Sequence, residues 1–196
     1  MAGMVDEAES GLIARAQAGD QRAFTALVRH YQDRLFRFIL RLTGNRDEAL
    51  DLTQESFLKA HQALARWRPE ASFRSWLFRI AHNTTLDLLR RRGCIEFISF
   101  AECPGGEAEP AFPDAAPQPD QRLADRQSVE LLGRTLQQLP VEQREILLLR
   151  ELEEMSYSEI AATLGIAEGT VKSRLARARS AAIAGYQGLS GELRDD

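Results

Sequence analysis

Apolar residues return every three or four positions through three successive stretches of the first half of the chain. Phe24, Leu27, Val28, Tyr31, Leu35, Phe38, Ile39 and Leu42 share one face of an amphipathic helix that Gly44 ends. Asn45 caps the next helix with Glu48 three residues on, a variant of the reciprocal capping arrangement, and Leu52, Phe57, Ala60, Leu64 and Trp67 form its inward side. After Pro69, Ser72 caps a third helix whose stripe is Phe73, Trp76, Leu77, Ile80, Ala81, Thr84 and Leu88; Arg90, Arg91 and Arg92 complement its C-terminal dipole. Such stripes must cover one another, so residues 23–92 are expected to form a helical bundle, preceded by an N-terminal segment, 1–22.

Periodicity fails from Gly93 to Gln121, where Pro104, Gly105, Gly106, Pro110, Pro113, Pro117 and Pro119 fall. A sustained helix or central strand is unfavourable there, and 93–121 reads as an extended, flexible linker. Helical spacing resumes at Leu123, Val129, Leu132, Leu136 and Leu139, stops at Pro140, and continues with Ile146, Leu147, Leu149 and Leu152. Two short helices follow, one from Ser156 to Leu164 and one from Thr170 through Ala182, with Gly165 as the left-handed residue that ends the first. No strand-like alternation exceeds the region Ile95–Phe100. The expected fold class is all-α: an N-terminal bundle and a C-terminal helix-turn-helix domain over 122–185, joined by the linker, with 186–196 as a tail.

Of the 196 residues, 44% are hydrophobic and 28% charged, enough for packed cores and unlike a disordered chain. There is no run of some eighteen apolar residues, and Asp6, Glu7 and Glu9 stand where a secretion signal would be basic and then apolar. A cytoplasmic protein without direct membrane insertion is expected. Cys94 and Cys103 lie in the Gly/Pro-rich stretch without further ligands, so no metal and no cofactor is expected, and they read as incidental.

The net charge of −4 argues at first against a nucleic-acid binder. Its distribution reverses that inference. Arg66, Arg68, Arg74, Arg79, Arg90, Arg91 and Arg92 face only Glu70 and Asp87 over the third helix and its approach, and Lys172, Arg174, Arg177 and Arg179 form a run free of acids. Between these basic stations lie Glu96, Glu102, Glu107, Glu109, Asp114, Asp120 and Asp125 against Arg122 alone. The pattern fits a protein that touches nucleic acid twice.

The segment SYSEIAATLGIAEGTVKSRLARARSAA meets the physical requirements of a helix-turn-helix. Ala161 is small where two helices approach, Gly165 permits the turn, Ile166 plugs the junction, and Val171, Leu175 and Ala178 face the core. Lys172, Ser173, Ala176, Arg177 and Ser180 then point outward. Arg177 and Lys172 are candidates for base-edge contacts, and Thr170, Arg174, Arg179 and Tyr157 for contacts that fix register on phosphates. A solvated basic helix without a DNA role is the bland alternative.

On the second helix, Asp51, Gln54, Glu55 and Leu58 lie on the side away from the core stripe. An exposed leucine beside carboxylates suits a basic protein partner, although spacing alone favours an ordinary solvated face. On the third, Arg79, Asn83, Leu86 and Arg90 fall outside the stripe, with Trp67, Arg68 and Ser72 just before it. Asn can read a base edge and an exposed aromatic can stack on an unpaired base, but Trp67 reads first as core.

DLTQESFLKAHQAL followed by SFRSWLFRIAHNTTLDLLRRR resembles the second conserved region of sigma-70 family proteins. LQQLP with REILLLRELEEMSYSEIAATLGIAEGTVKSRLARAR resembles the fourth, in the right order. With no room for the family's first and third domains, the resemblance is to the extracytoplasmic-function class. It implies that Asp51, Gln54, Glu55 and Leu58 bind the clamp helices of the largest subunit of core RNA polymerase, other subunits being contacted elsewhere. It implies, too, that Trp67, Arg68, Ser72, Arg79, Asn83 and Arg90 capture single-stranded minus-10 promoter DNA. Tyr157, Thr170, Lys172, Ser173, Arg174, Ala176, Arg177 and Arg179 would meet the minus-35 duplex, and an anti-sigma factor would hold the protein inactive. Ala176 stands where some relatives carry a bulky aromatic, so promoter preference does not transfer.

Two rivals remain. A helix-turn-helix regulator would bind duplex DNA without core polymerase. An enzyme is disfavoured: His30, His61 and His82 lack metal-ligand spacing, Cys94 has no evident base partner, and no Gly-rich phosphate loop occurs.

Overall fold

The computed structural model describes residues 2–93 and 119–192. Helix α1 (Ala2–Gln17) leads into α2 (Gln21–Thr43), α3 (Arg46–Leu64) and α4 (Phe73–Arg91), and the second half holds α5 (Pro119–Gln138), α6 (Val141–Leu147), α7 (Tyr157–Leu164) and α8 (Glu168–Glu192). No strand occurs among the described residues, in accord with the all-α expectation. None of their helices is long and apolar enough to cross a membrane.

The boundaries follow from local chemistry. Asp20 caps α2 through the backbone N–H groups of Arg22 and Ala23, and Gly44 ends it at φ 68°. Asn45 Oδ1 accepts from the Glu48 backbone N–H, and Ser72 Oγ from that of Ser75. Ser156 and Glu159 form a full reciprocal capping box at the start of α7, which Gly165 closes at φ 67°. Gly44, Asn45, Ser72 and Gly165 stand where the pattern places them, and the Asp20 cap and the Ser156–Glu159 box add to them.

The apolar stripes of α2, α3 and α4 pack as a bundle around Leu35, Ile39, Ala60, Leu77 and Phe78, all essentially removed from solvent. Phe38 and Phe78 meet edge-on with ring centroids 5.3 Å apart. Helix α1, which periodicity did not announce, lies along α2 and buries Ile13. Its Glu9 accepts a short hydrogen bond from the Tyr31 hydroxyl, which burial and that carboxylate keep protonated at any ordinary pH.

In the second half the inward positions of α5 are Leu131 and Thr135, with Leu139 buried just past its end, whereas Val129 and Leu132 are exposed. The small Thr135 lets α5 approach α8 closely: a Cβ on Gly185 would stand 3.2 Å from its methyl group. The backbone widens into a π turn at Leu148–Leu152, with the Glu153 N–H bonded to the Leu148 carbonyl. That extra residue rotates the stripe, so Leu149 is buried and Leu152 is 48% exposed. Helix α8 begins at Glu168 and runs through Glu192, past Ala182 and into residues expected to form a tail. Helix α5 likewise begins at Pro119, inside the expected linker; residues 94–118 of that linker, including Cys94 and Cys103, lie outside the described residues.

The two halves pack on each other, α4 against α7 and α2 against α5 and α6. Much of this contact is polar. Arg144 reaches from α6 to the open carbonyls at the ends of α2 and α5, donating to Leu42 at 2.8 Å, Gln137 at 2.7 Å and Leu139 at 3.0 Å. Arg34 pairs with Glu153 at 2.9 Å and Arg74 with Glu159 at 2.6 Å.

Candidate nucleic-acid interface

Helix α8 is positioned by Val171, Leu175 and Ala178, all fully buried against its neighbours. Because these recur at i, i+4 and i+7, the opposite side is fixed: Lys172, Ser173, Ala176, Arg177 and Ser180 are exposed on it. The turn before it is the short Gly165–Ala167 connection from α7. The structure therefore assembles a helix-turn-helix with a basic outer face.

The candidate groups on this face differ in what holds them. Lys172 Nζ stands 5.9 Å from the Tyr157 ring centroid, and Arg150 lies over the same ring at 5.3 Å. Tyr157 thus links two cations at the root of the reading helix. Arg150, which sequence pattern did not single out, also donates to the Met155 carbonyl at 2.7 Å. Arg174 pairs with Glu142 at 3.2 Å and Arg179 with Glu151 at 2.6 Å. Arg177 makes a long 3.4 Å contact to the Ser173 carbonyl, one turn back on its own helix. Ser173 Oγ donates to the Thr170 carbonyl at 3.1 Å. Arg174 and Arg179 are thus each held by a carboxylate, whereas Arg177 has no ion partner among the described residues.

The second candidate surface lies on α4 and the turn before it. Trp67, Arg68 and Arg79 line an open cleft of about 350 Å³ together with Ser75, Trp76 and Ala162. Trp67 is half-buried, tilted against Trp76 at 5.9 Å and edge-on to Phe73 at 6.0 Å, so its inner face belongs to the core. Its carbonyl accepts from Gln17 Nε2 at 2.9 Å, and that of Leu64 from the same nitrogen at 3.2 Å. Asn83 is exposed one turn along α4 from Arg79, and Arg90, also exposed, lies 3.7 Å from Asp87. Ser72 is occupied as the N-cap of α4, and neither it, Asn83 nor Arg90 lines the cleft.

The third surface is the outer side of α3. Asp51, Gln54, Glu55 and Leu58 are all exposed, Leu58 at 58%. Leu50, exposed at 43% and one turn before Gln54, extends this face; the i, i+4, i+8 spacing of Leu50, Gln54 and Leu58 is a signal the sequence carried. Glu55 pairs with Lys59 at 2.8 Å, a solvent-screened contact easily exchanged for an external cation.

Comparison with known proteins places these surfaces in a common frame. Residues 27–94 match the family model for Sigma-70 region 2, and residues 130–181 that for Sigma-70, region 4. The chain is 35% identical over 192 residues to the RNA polymerase sigma-H factor of Pseudomonas aeruginosa, covering 96% of this chain and 99% of that protein. It is 36% identical over 173 residues to the ECF RNA polymerase sigma-E factor of Escherichia coli strain K12, covering 87% and 90% of the two chains. Among solved structures, CnrH in complex with the cytosolic domain of CnrY superposes with a TM-score of 0.65 at 29% identity, covering 88% of this chain and 93% of that one. The sigma factor RpoE in complex with the anti-sigma factor NepR from Bartonella quintana shares the fold, with a TM-score of 0.62 at 24% identity over 84% and 96% of the chains. The α2–α4 bundle carries the first family match and the α5–α8 half the second, and the chain belongs to the sigma-70 family, in its extracytoplasmic-function class of RNA polymerase sigma factors.

Proposed function

We propose that this chain binds core RNA polymerase and directs it to promoters whose minus-35 element is read as duplex and whose minus-10 element is read as single strand. The observation that carries this reading is that both family matches fall, in order, on helical halves that each present a basic reading surface, while α3 presents an acidic and apolar one. The α3 face, with Asp51, Gln54, Glu55 and Leu58, suits the clamp helices of the largest subunit.

Arg177 and Lys172, with Ser173 and Ala176 beside them, enter the major groove, while Arg174, Arg179, Thr170 and Tyr157 fix register on phosphates. Arg68, Arg79, Asn83 and Arg90 hold the opened strand near Trp67, with Ser72 shaping the turn. A stacking contact contributes about 1–3 kcal/mol per base, so a few captured bases offset the cost of unpairing. The chain supplies no catalytic residue, for the polymerase performs the chemistry, and it works in the cytoplasm. Control by an anti-sigma factor belongs to this reading; the sigma factor RpoE, which shares the fold, is solved in complex with the anti-sigma factor NepR.

Run-off transcription with core enzyme on a randomised promoter library tests the assignment. Selective initiation from a common pair of motifs is expected. Specific duplex binding by the chain alone, without any effect on initiation, would instead identify a regulator that acts without polymerase.

A further inference from the structure

We propose that Gln17 is a positioning residue for capture of the minus-10 strand: its side-chain amide, reaching across from α1, presets the turn that carries Trp67 and Arg68 before DNA arrives. The inference rests on the proposed function for what the turn captures, and on hydrogen bonds within the N-terminal half for the brace itself.

Residues 65–72 connect α3 to α4 without regular structure. Within this connection the Arg66 N–H reaches the Ala63 carbonyl at 3.1 Å, the Trp67 N–H the Leu64 carbonyl at 3.0 Å, and the Glu70 N–H the Arg68 carbonyl at 2.8 Å. These backbone bonds leave the Trp67 carbonyl aside. Gln17 Nε2 engages it at 2.9 Å, and gives its second hydrogen to the Leu64 carbonyl at 3.2 Å. Leu64 is the last residue of α3, so its carbonyl is among those that the helix leaves open. The turn is thus tied to the end of α3 by a group from a third helix.

The choice of acceptor decides what is fixed. The Trp67 carbonyl belongs to the peptide unit shared with Arg68, and a planar peptide rotates as one body. Holding its oxygen therefore sets the backbone angle on each side, and with it the directions in which both side chains leave the chain. Those two side chains line the cleft together with Arg79. Gln17 is half-buried and is not part of the cleft lining, so it orders the turn through backbone alone and leaves the tryptophan's outer face open to a base.

The brace has a firm base. Ile13 is buried, and Leu12 and Ala16 pack against the core beside it. Gly19, at φ 91°, ends α1 with its N–H on the Ala16 carbonyl, and the Asp20 N–H reaches the Arg15 carbonyl, both at 3.0 Å. Arg15 grips Asp20 Oδ2 through Nε at 2.9 Å and Nη2 at 2.5 Å, and Asp20 in turn caps α2. In the first turn of α2, Phe24 meets His61 of α3 edge-on with ring centroids 4.8 Å apart. The end of α1, the start of α2 and the end of α3 therefore form one corner, from which Gln17 projects. A turn already ordered loses less conformational freedom when it takes up a strand, and binds it more tightly for that reason.

The test uses the full-length chain with core RNA polymerase on a promoter recovered from the randomised library. Gln17→Met keeps the side chain's length without a donor, Gln17→Glu keeps its shape with a carboxylate that cannot donate, and Gln17→Lys restores a donor. Strand opening is read from 2-aminopurine fluorescence in the nontemplate minus-10 strand, and order in the turn from hydrogen–deuterium exchange over residues 65–72. Gln17→Met and Gln17→Glu should each lower the equilibrium for opening about fivefold and speed exchange in the turn, with core affinity and minus-35 duplex binding at wild-type values. Gln17→Lys should move both readouts back toward wild type. A merely structural role would depress core affinity, minus-35 binding and helicity together, and that pattern overturns the proposal. Should Gln17→Met alone lose helicity, Gln17→Glu decides. Wild-type opening or wild-type exchange in a donor-free variant that keeps its helicity overturns the proposal too. A wild type that opens no promoter with core sinks the sigma-factor reading instead, and faster exchange in the variants would then leave the brace standing.

Discussion

His82 of α4 and Glu145 of α6 stand 3.0 Å apart, Nδ1 to Oε2, with side chains only 8% and 4% exposed. The distance suits an ion pair, but the ring N–H is not aligned for a hydrogen bond, and both atoms lack any hydrogen-bond partner. Removing one member leaves the other's polar group buried alone, which costs about 3 kcal/mol for a pair of this kind. His82→Ala should therefore lower the urea midpoint markedly, while His82→Leu/Glu145→Leu recovers most of the loss. Equal damage from the single and the double would show that packing alone matters at this site.

Arg177→Ala should weaken initiation by about 1–3 kcal/mol, roughly fivefold to 150-fold, and relax selectivity at one minus-35 position. The side chain is exposed, so the melting temperature should stay within a degree or two. Arg174→Ala and Arg179→Ala should weaken binding evenly across sequences and flatten its salt dependence, as phosphate contacts do. A library selection with each variant separates the two patterns, and an unchanged motif with Arg177→Ala removes that residue from the reading surface.

Asp51→Arg and Glu55→Arg should lower affinity for core polymerase about tenfold each by reversing charge on the α3 face. Neither should change helicity, since both side chains are exposed. Fluorescence anisotropy with labelled chain and core enzyme reads the change, and wild-type affinity in both would move the docking surface elsewhere.

Acid should act on α7 through Glu159. Burial pushes this carboxyl up, but the Ser156 backbone N–H, the Arg74 guanidinium and the Ser156 hydroxyl together hold it below its ordinary 4.5. A lowered value in the folded state means that the stabilisation is fully present above the ordinary value and fades as pH falls through the lowered one. The stability difference between wild type and Glu159→Gln should thus be constant above about pH 5.5 and shrink below 4.5. Urea titrations at a series of pH values measure it, and a difference that grows on acidification would contradict the assignment.

The elements written in local chemistry were legible: Gly44, Asn45, Ser72, Ser156 and Gly165 mark boundaries where they fall. Helix α1 was not, because Gly3 and Gly11 interrupt its pattern and its apolar stripe is thin. The π turn at Leu148–Leu152 adds a residue to the helical period, so Leu152, placed inward by spacing, faces solvent. Helix α8 continues beyond Ala182 through Gly185, Gly188 and Gly191, residues of low helix propensity, and Gly185 is accommodated because α5 lies close against it. The outer faces of α3, α4 and α8 were readable from the stripes opposite them. Pairings such as Arg74 with Glu159 were not, since residues 85 positions apart leave no periodic trace in the chain.

Gln17, at the end of α1, clasps the carbonyls of Leu64 and Trp67 with one amide nitrogen. A helix that carries none of the proposed reading side chains thereby splints the bend from which the tryptophan hangs. Trimming it away would leave each of those side chains in the chain yet free the bend that holds Trp67.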